Sequence, residues 1–337
     1  MAESWRHRKT LILGRSDMVG LLTPGEYVDC VEHAFRMHGE GRVYMEPKGH
    51  IVLDRYQGEW EVMPSWIEEP EAAACKWVSI REDNSRYELP AVFSILVYTH
   101  PETGFPLAIC DGSHHTLMRT GASAAVSAKW LARKDSKVLA ILGSGSVGKG
   151  TLATCDAVFD WDEVRIWSRT EESLDRFVAA EQPSYPQFEL KTTTDVEQAV
   201  RGADVIVTGT HARRYLVEDD WVSPGTHIAA LGADLAGEQE LDPRTLLRAR
   251  VFVDDIRQCR EDGEINVPLR DGVFTEDHVA GEIGKVICGE LEGRQSDDQI
   301  TMFDSTGIAL QDSATVPLEY ERAVAAGVGI EKKMIST

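Results

Sequence analysis

The sequence predicts an α/β protein with two domains, and three observations support this prediction. The chain has 337 residues, whereas a single domain usually has about 100–200 residues. Residues 43–99 form short β-rich runs separated by prolines, which indicates a sheet of several strands. From residue 137 onwards, apolar strands alternate with helices, and this alternation is typical of a parallel sheet covered on both faces.

The N-terminal half has an α+β pattern. A helix is expected from Pro24, because Thr23 can cap its first turn and Glu26 completes a capping box. Its apolar face consists of Val31, Ala34 and Phe35. Strands are expected at 60–63, 75–80 and 91–98, and a helix rich in small residues at 119–132.

The second half alternates more regularly. The expected strands are 137–142, 164–167, 204–208, 227–231 and 251–253. The expected helices are 151–159, 171–180, 195–201 and, at the end of the chain, 312–326. No repeat and no low-complexity tract interrupts this order.

The composition argues against several classes of function. The chain has 35 basic and 56 acidic side chains and a net charge of −21, so it repels phosphate backbones, and nucleic-acid binding is not expected. No apolar run approaches the roughly 20 residues that cross a bilayer, and the N-terminus lacks the apolar core of a signal peptide. We therefore expect a cytoplasmic protein with no membrane partner.

Cysteines and histidines do not predict a metal site. The six cysteines are far apart and include no CxxC pair, so reduced structural thiols are expected. The adjacent His114 and His115 are interpreted as strand residues, whose side chains point to opposite faces and cannot easily bind one ion. One of the two is a candidate for the wall of a pocket.

A glycine motif predicts a dinucleotide site. Gly143, Gly145 and Gly148 follow the apolar strand 138–142 and open a helix, which is the context that a GxGxxG motif requires. Gly143 makes the tight turn, Gly145 lets the backbone approach a pyrophosphate, and Gly148 lets the helix and strand pack closely. The N–H groups at the start of the helix then face the phosphates.

The end of the second strand predicts which dinucleotide is bound. An acidic residue there would bind the ribose 2′-hydroxyl of NAD, but this chain has Ser168, Arg169 and Thr170. A hydroxyl and a guanidinium suit a 2′-phosphate, so NADP(H) is favoured over NAD(H). The alternative is that Arg169 is a solvated charge at the end of a strand.

Several segments together resemble the ornithine cyclodeaminase/μ-crystallin family. The matching segments are Asp111-Gly-Ser-His-His-Thr-Leu-Met-Arg119-Thr120-Gly-Ala, Glu61-Val-Met-Pro64, Lys76-Trp-Val-Ser, Gly232-Ala-Asp234, Gly237-Glu-Gln-Glu240-Leu-Asp242, Asp262-Gly-Glu-Ile265 and Phe303-Asp-Ser-Thr-Gly307. This family includes ornithine and lysine cyclodeaminases, archaeal-type alanine dehydrogenases and ketimine reductases. The resemblance covers residues from about 10 to 325.

The resemblance implies a domain organisation. A Rossmann NAD(P)-binding domain, residues 121–309, would be inserted in a discontinuous α+β domain made of residues 1–120 plus 310–337. The discontinuous domain would bind the substrate and form a homodimer.

The resemblance also implies the site residues. Lys76, Arg119 and Lys48 would hold the substrate carboxylate, although Lys48 stands where many relatives have arginine and can act only as a point charge. Asp234 would bind the substrate amine and accept its proton. Glu61 matches a glutamate of the cyclodeaminase branch, so the predicted catalytic residues are Asp234, Lys76 and Glu61.

Each assignment has an alternative. Lys76 could be a solvated residue on a strand, Arg119 could pair with Asp111 at the start of a helix, and Asp234 could cap a turn. The predicted cofactor-binding residues are Thr120, Gly143, Gly145, Ser146, Val147, Gly148, Ser168, Arg169 and Thr170. Val147 departs from the glutamine that is usual in the family, which removes an amide from this loop.

The function implied is an NAD(P)-dependent oxidoreductase. It would transfer hydride between the nicotinamide and the Cα of a small L-amino acid or its imino or keto acid, as an amino-acid dehydrogenase or a cyclic imine reductase. The first alternative is an ornithine or lysine cyclodeaminase, which forms proline or a homologue, releases ammonia and recycles NAD. The second is a protein that binds a small ligand or cofactor without catalysis.

Overall fold

The computed structural model describes residues 5–335, except for the side chain of Glu82. The chain divides into two compact units. The first consists of Met1–Arg119 and Ile308–Thr337, and the second of Thr120–Gly307. The fold class is mixed α/β, with a parallel sheet in the second unit, as the sequence predicts.

The first unit is built on an eight-stranded mixed sheet. Its strands are β1 (Thr10–Leu13), β2 (Val43–Met45), β3 (Gly49–Leu53), β4 (Gly58–Ile67), β5 (Ala72–Arg81), β6 (Val92–Thr99), β7 (Pro106–Asp111) and β18 (Ile330–Lys332). Its helices are α1 (Arg15–Met18), α2 (Pro24–Gly39), the start of α3 (Ser113–Leu131) and α11 (Ala309–Ala326). The strand order is β18-β1-β7-β6-β5-β4-β2, and β3 also pairs with β4.

Alternation along the strands decides which side chains are buried in this sheet. In β5, Ala72, Ala74, Lys76 and Val78 are buried, whereas Trp77 between them is exposed. Successive side chains of a strand point to opposite faces, so Lys76 lies on the face covered by apolar residues. Helix α2 begins as predicted, because Thr23 and Glu26 form the expected capping box.

The second unit contains an eight-stranded parallel sheet. Its strands are β8 (Val138–Leu142), β9 (Glu163–Trp167), β10 (Leu190–Thr193), β11 (Val205–Thr208), β13 (His227–Ala230), β15 (Arg250–Val253), β16 (Val279–Glu282) and β17 (Thr301–Asp304), and a separate pair is β12 (Arg213–Val217) with β14 (Gln239–Leu241). Its helices are the rest of α3, α4 (Ser146–Asp156), α5 (Glu171–Glu181), α6 (Val196–Val200), α7 (Pro243–Arg248), α8 (Ile256–Asp262), α9 (Asn266–Arg270) and α10 (Ile283–Ile287).

The strand order of this sheet reverses direction beside the glycine motif. The order is β10-β9-β8-β11-β13-β17-β15-β16, so the chain runs outwards in one direction from β8 and in the other from β11. Ligands of open α/β sheets bind at the carboxyl ends of the strands where this reversal occurs. Gly143 follows β8 and Gly209 follows β11, and a Cβ on Gly143 would lie 2.7 Å from the Gly209 carbonyl oxygen. The glycine motif therefore lies at the point where the strand order reverses.

Three helices begin earlier than the sequence predicts. Helix α4 begins at Ser146 rather than at residue 151, because its glycines allow close packing: a Cβ on Gly148 would overlap the Gly143 carbonyl oxygen. Helix α3 begins at Ser113, so His114 and His115 are helical and the strand interpretation is wrong. Helix α11 begins at Ala309 instead of Asp312, after an uncapped Ile308.

Within the described residues, no helix has both the length and the apolar character needed to cross a bilayer. None of the six cysteines is in a disulfide.

Candidate functional site

A fully buried lysine lies in the first unit. The side chain of Lys76 is 0 % exposed, and its Nζ donates to Asp312 Oδ1 at 3.0 Å. Burial, and after it the neighbouring Arg119, lower the pKa of Lys76 to about 8, although Asp312 opposes the shift. The alternative of a solvated strand residue is wrong, because a buried ammonium with one acidic partner is a costly arrangement that ordinary surface lysines do not have.

Arg119 shares the same acid. Its Nε lies 3.3 Å from Asp312 Oδ1, and its NH1 donates to the Gln311 side-chain oxygen at 2.8 Å. Arg119 lies in the second turn of α3, and Asp111 instead accepts from Ser113. The alternative of an Arg119–Asp111 pair at a helix start is therefore wrong. One carboxylate thus faces two buried cations, which leaves positive charge available for an anionic ligand.

A buried histidine continues this cluster. His115 Nε2 lies 3.1 Å from Asp312 Oδ1, and its Nδ1 lies 2.7 Å from Glu319 Oε2. Glu319 in turn accepts from the Tyr27 hydroxyl at 2.7 Å. His115 and Arg119 are four residues apart on α3 and Asp312 and Glu319 seven apart on α11, so each pair shares one helix face. The carboxylates were not predicted, because they come from a distant part of the sequence.

Lys48 and Glu61 form a second buried pair in this unit. The Lys48 Nζ lies 3.5 Å from Glu61 Oε1, and their side chains are 2 % and 5 % exposed. Glu61 lies on β4, next to β5, where Met63 pairs with Lys76. The structure thus places Lys48, Glu61, Lys76 and Arg119 together as buried charged groups of the first unit, each with a named partner.

The glycine turn has the shape that a dinucleotide requires. Gly145 is the N-cap of α4, has no side-chain cap and would meet no atom within 4 Å if it carried a Cβ. Gly145 and Ser146 are exposed, so the first N–H groups of α4 face open space. Gly143 has a φ of 132°, which glycine alone adopts readily. These residues fit a pyrophosphate.

Other predicted cofactor residues surround this turn. The side chain of Val147 packs closely against Gly209, which would have a Cβ only 2.8 Å from it. Thr120 precedes Gly121, where α3 approaches the Gly150 backbone so closely that a Cβ on Gly121 would overlap it. The family's glutamine is thus replaced here by a residue that packs against the neighbouring loop.

The end of β9 has the residues that predicted the cofactor preference. Ser168 accepts a hydrogen bond from the Ser144 hydroxyl at 3.0 Å, so it is tied to the glycine turn. Arg169 is exposed. Thr170 caps α5, with its hydroxyl accepting from Ser173 N at 3.3 Å. Helix capping accounts for Thr170 without a ligand.

Asp234 lies after β13, at the same edge of the sheet as the glycine turn. Its backbone N–H donates to Glu238 at 3.3 Å, and its Oδ1 lies 3.8 Å from His211 Nδ1. Glu238, and after it Asp234, raise the pKa of His211 to about 9. The sequence did not predict His211, since a histidine in an exposed loop has no distinguishing pattern. These three side chains could also hold a cation geometrically.

Buried carboxyl groups fix the loops around Asp234. Glu240 accepts from Thr210 N at 2.8 Å and from Gly232 N at 3.1 Å, which joins the loops after β11 and β13. Glu264 accepts from the backbone of Glu240 at 2.9 Å, and Asp304 from the backbone of Glu264 at 3.0 Å. Burial raises the pKa of Glu240 to about 7 and that of Asp304 to about 8.

Comparisons with known proteins agree with these features. Residues 8–327 match the model of the ornithine cyclodeaminase/mu-crystallin family. The alanine dehydrogenase of Archaeoglobus fulgidus is 38 % identical over 326 residues, which cover 96 % of this chain and 98 % of that protein.

Two solved structures are similar over nearly the whole chain. An archaeal alanine dehydrogenase dimer with bound NAD has a TM-score of 0.91 and 38 % identity, covering 97 % of this chain and 100 % of that one. The Δ1-pyrroline-2-carboxylate reductase of Thermococcus litoralis, in complex with NADH and L-proline, has a TM-score of 0.91 and 32 % identity, covering 95 % and 99 %. The chain therefore belongs to the ornithine cyclodeaminase/mu-crystallin family.

Proposed function

We propose that this protein is an NAD(P)-dependent oxidoreductase that interconverts a small L-amino acid and its imino or keto acid. The observation that carries this proposal is the arrangement of Lys76 and Arg119, two buried cations that share the single carboxylate Asp312. Such a cluster has positive charge to offer to a substrate carboxylate. Similarity to an alanine dehydrogenase and to a pyrroline-2-carboxylate reductase supports the same chemistry.

The first unit is proposed to bind the substrate carboxylate. Arg119 can donate through its planar guanidinium, and Lys76 contributes a point charge of low hydration. Lys48 adds a third cation, whose charge Glu61 already balances at 3.5 Å. Because these groups are held by hydrogen bonds and ion pairs before a ligand binds, little side-chain entropy is lost on binding.

The second unit is proposed to bind the dinucleotide and to manage the amine proton. Gly145 and Ser146 present backbone N–H groups to the pyrophosphate, and the close packing of Gly143 and Gly148 fixes the turn. A bound nicotinamide supplies or accepts the hydride at the substrate Cα. Asp234 binds the amine and accepts its proton when the amino acid is oxidised.

NADP(H) is proposed as the preferred cofactor. Ser168 and Arg169 follow β9 at the position where a carboxylate would otherwise select NAD, and the exposed guanidinium can bind a 2′-phosphate. The structures compared contain NAD or NADH, so this preference rests on Arg169 of this chain.

A homodimer is proposed, with the outer face of the first unit's sheet as the interface. Ile51 pairs with Trp60, Trp77 pairs with Ile95, and the two indole rings are 5.8 Å apart, which makes one apolar row across four strands. Trp77 and Ile95 are 43 % and 48 % exposed, and exposed apolar patches of this kind mark interfaces. Light scattering of the wild type should give twice the chain mass. The Ile95→Lys variant should have the mass of a monomer, whereas the control variant Val324→Lys should remain a dimer.

Cyclodeamination is the second candidate, and Glu61 favours it. This glutamate matches the cyclodeaminase branch and is buried beside Lys48. In that reaction hydride would first pass from Cα to the oxidised cofactor, the distal amine would attack the resulting imine, ammonia would leave and the hydride would return to Cα, so the cofactor is not consumed. Ammonia release without net change in reduced cofactor would therefore replace the first proposal with this one.

The test is a panel of L-amino acids, 2-keto acids with ammonia, and cyclic imines, each assayed with NADP(H) and NAD(H). We expect stoichiometric appearance or loss of reduced-cofactor absorbance with at least one small substrate. The absence of both absorbance change and ammonia release with every substrate would refute an enzymatic role and favour the non-catalytic binder.

A further inference from the structure

The first unit contains a buried chain of polar groups that reaches beyond the residues proposed to contact substrate. It runs from the Tyr27 hydroxyl through Glu319, His115 and Asp312 to Lys76, with successive donor–acceptor distances of 2.7, 2.7, 3.1 and 3.0 Å. All five side chains in it are at most 1 % exposed. Burying charged groups is costly unless they are paired and hydrogen-bonded, as the members of this chain are.

The partners of His115 require a proton on both ring nitrogens. Nδ1 faces Glu319 Oε2 and Nε2 faces Asp312 Oδ1, and both oxygens belong to carboxylates. A neutral imidazole has one N–H, so it could satisfy only one of them, whereas the imidazolium satisfies both. Burial alone would lower the pKa of His115, but Glu319 and Asp312 outweigh it and raise the pKa to about 9.

The other titratable groups that interact with Glu319 stay neutral near pH 7. Burial and then Glu319 raise the pKa of the Cys30 thiol on α2 to about 12 and hold that of the Cys110 thiol on β7 above its usual range. The same two causes raise the pKa of Tyr27, also on α2. Burial lowers the pKa of His114, so this neighbour is neutral as well. The charges that face His115 are therefore those of the cluster itself.

The charge balance of this cluster depends on His115. Lys76, Arg119 and His115 are three cations, and they face two carboxylates, Asp312 and Glu319. One positive charge is in excess, which matches one substrate carboxylate. If His115 were neutral, the remaining two cations and two carboxylates would balance, and a carboxylate ligand would add an uncompensated charge.

We propose that His115 is a positioning residue that, by sharing Asp312 and neutralising Glu319, leaves Lys76 and Arg119 free to bind the substrate carboxylate. This inference rests on the proposed function. His115 touches no substrate itself. It acts by neutralising carboxylate charge that Lys76 and Arg119 would otherwise have to neutralise.

The test is carboxylate binding by a set of variants with known charge. Pyrrole-2-carboxylate, a flat carboxylate with no hydride to donate, is titrated calorimetrically into the protein saturated with NADP⁺, from about pH 6 to pH 9. The variants are His115→Gln, Glu319→Gln and the double variant, in which both side chains remain polar and similar in size.

We expect His115→Gln to weaken binding by about 10-fold. The loss should shrink towards pH 9, because the wild type itself loses the His115 proton near its pKa of about 9. The double variant restores the excess of one positive charge, so its Kd should return to within about 3-fold of the wild type. In Glu319→Gln, Lys76 and Arg119 outnumber Asp312 by one positive charge even when His115 is neutral, so binding should be no weaker than in the wild type at any pH.

Two results would overturn the proposal. One is a His115→Gln protein that binds pyrrole-2-carboxylate as tightly as the wild type at every pH. The other is a double variant as weak as His115→Gln, which would show that His115 acts through packing. Failure of the wild type to bind any carboxylate would instead refute the proposed function, and an unchanged Kd for NADPH verifies that each variant is folded.

Discussion

The glycine turn allows a substitution that separates cofactor binding from folding. A Cβ on Gly145 would meet no atom within 4 Å, and its φ of −86° and ψ of −160° are accessible to any residue. A Cβ on Gly148 would overlap the carbonyl oxygen of Gly143. Gly145→Ala therefore keeps the fold and places a methyl group where the pyrophosphate is expected, whereas Gly148→Ala strains the fold itself.

The magnitudes follow from these contacts. Loss of one hydrogen bond between a backbone N–H and a charged phosphate costs about 1.5–3 kcal/mol, or about 10- to 150-fold in Kd. Alanine is a poorer N-cap than glycine but has less unfolded-state entropy, and these opposing effects leave the stability of Gly145→Ala within about 1 kcal/mol of the wild type. Overpacking in Gly148→Ala should cost about 1–3 kcal/mol and lower Tm by several degrees.

The assay is a fluorescence titration with NADPH and NADH, combined with thermal unfolding of each variant. Gly25→Ala is the matched control, because Gly25 also has open space around it but lies in α2 of the first unit. It should leave both Kd values unchanged. If Gly145→Ala is folded and binds both dinucleotides as tightly as the wild type, the pyrophosphate does not lie on this turn and the reasoning fails.

Further substitutions test the remaining assignments. Asp234→Asn should lower kcat by about 10²- to 10⁴-fold, because the amine proton loses its acceptor, with the Kd of NADPH unchanged; unchanged kcat at saturating substrate would exclude Asp234. Arg169→Ala should weaken NADPH binding about 10- to 150-fold and leave NADH unaffected, and equal effects on both would remove the argument for NADP(H). The folded pKa of Glu240, about 7, exceeds its ordinary 4.5, so its protonated form stabilises the fold below about pH 4.5 and this contribution is lost as pH rises through 7. As the pH rises from 4.5 to 7, the Tm of Glu240→Gln should therefore fall less steeply than that of the wild type. An identical dependence of Tm on pH in both proteins would show that Glu240 is ionised throughout.

Local patterns in the sequence predicted much of the fold. The glycine motif, the capping box at Thr23 and the alternation of strands and helices depend on neighbouring residues, so they can be identified without the tertiary structure. The starts of α3 and α4 were missed because glycine and histidine are weak helix formers, and tertiary packing overrides that preference. The start of α11 was placed three residues late, although Ala309, Leu310 and Gln311 are good helix formers.

The site was predictable only in part. Lys76 and Arg119 were identified by resemblance, but their shared partner Asp312 comes from 236 residues beyond Lys76 along the chain, and no local pattern connects them. His115 was noticed as one of an adjacent pair and assigned to a strand, although its contacts with Glu319 and Asp312 depend on its place in the first turn of α3. Glu240 and His211 have roles that only the packing of neighbouring loops reveals.

The central claim is that hydride passes between the nicotinamide and the Cα of an amino-acid substrate. The most direct test is reduction of pyruvate with ammonia, and of cyclic imino acids, by NADPH and NADH deuterated at C4 in each stereochemical configuration. The account predicts an amino acid whose deuterium is at Cα, transferred from only one of the two C4 positions. An amino-acid product without deuterium from either position, or no product with any substrate and cofactor, would contradict it.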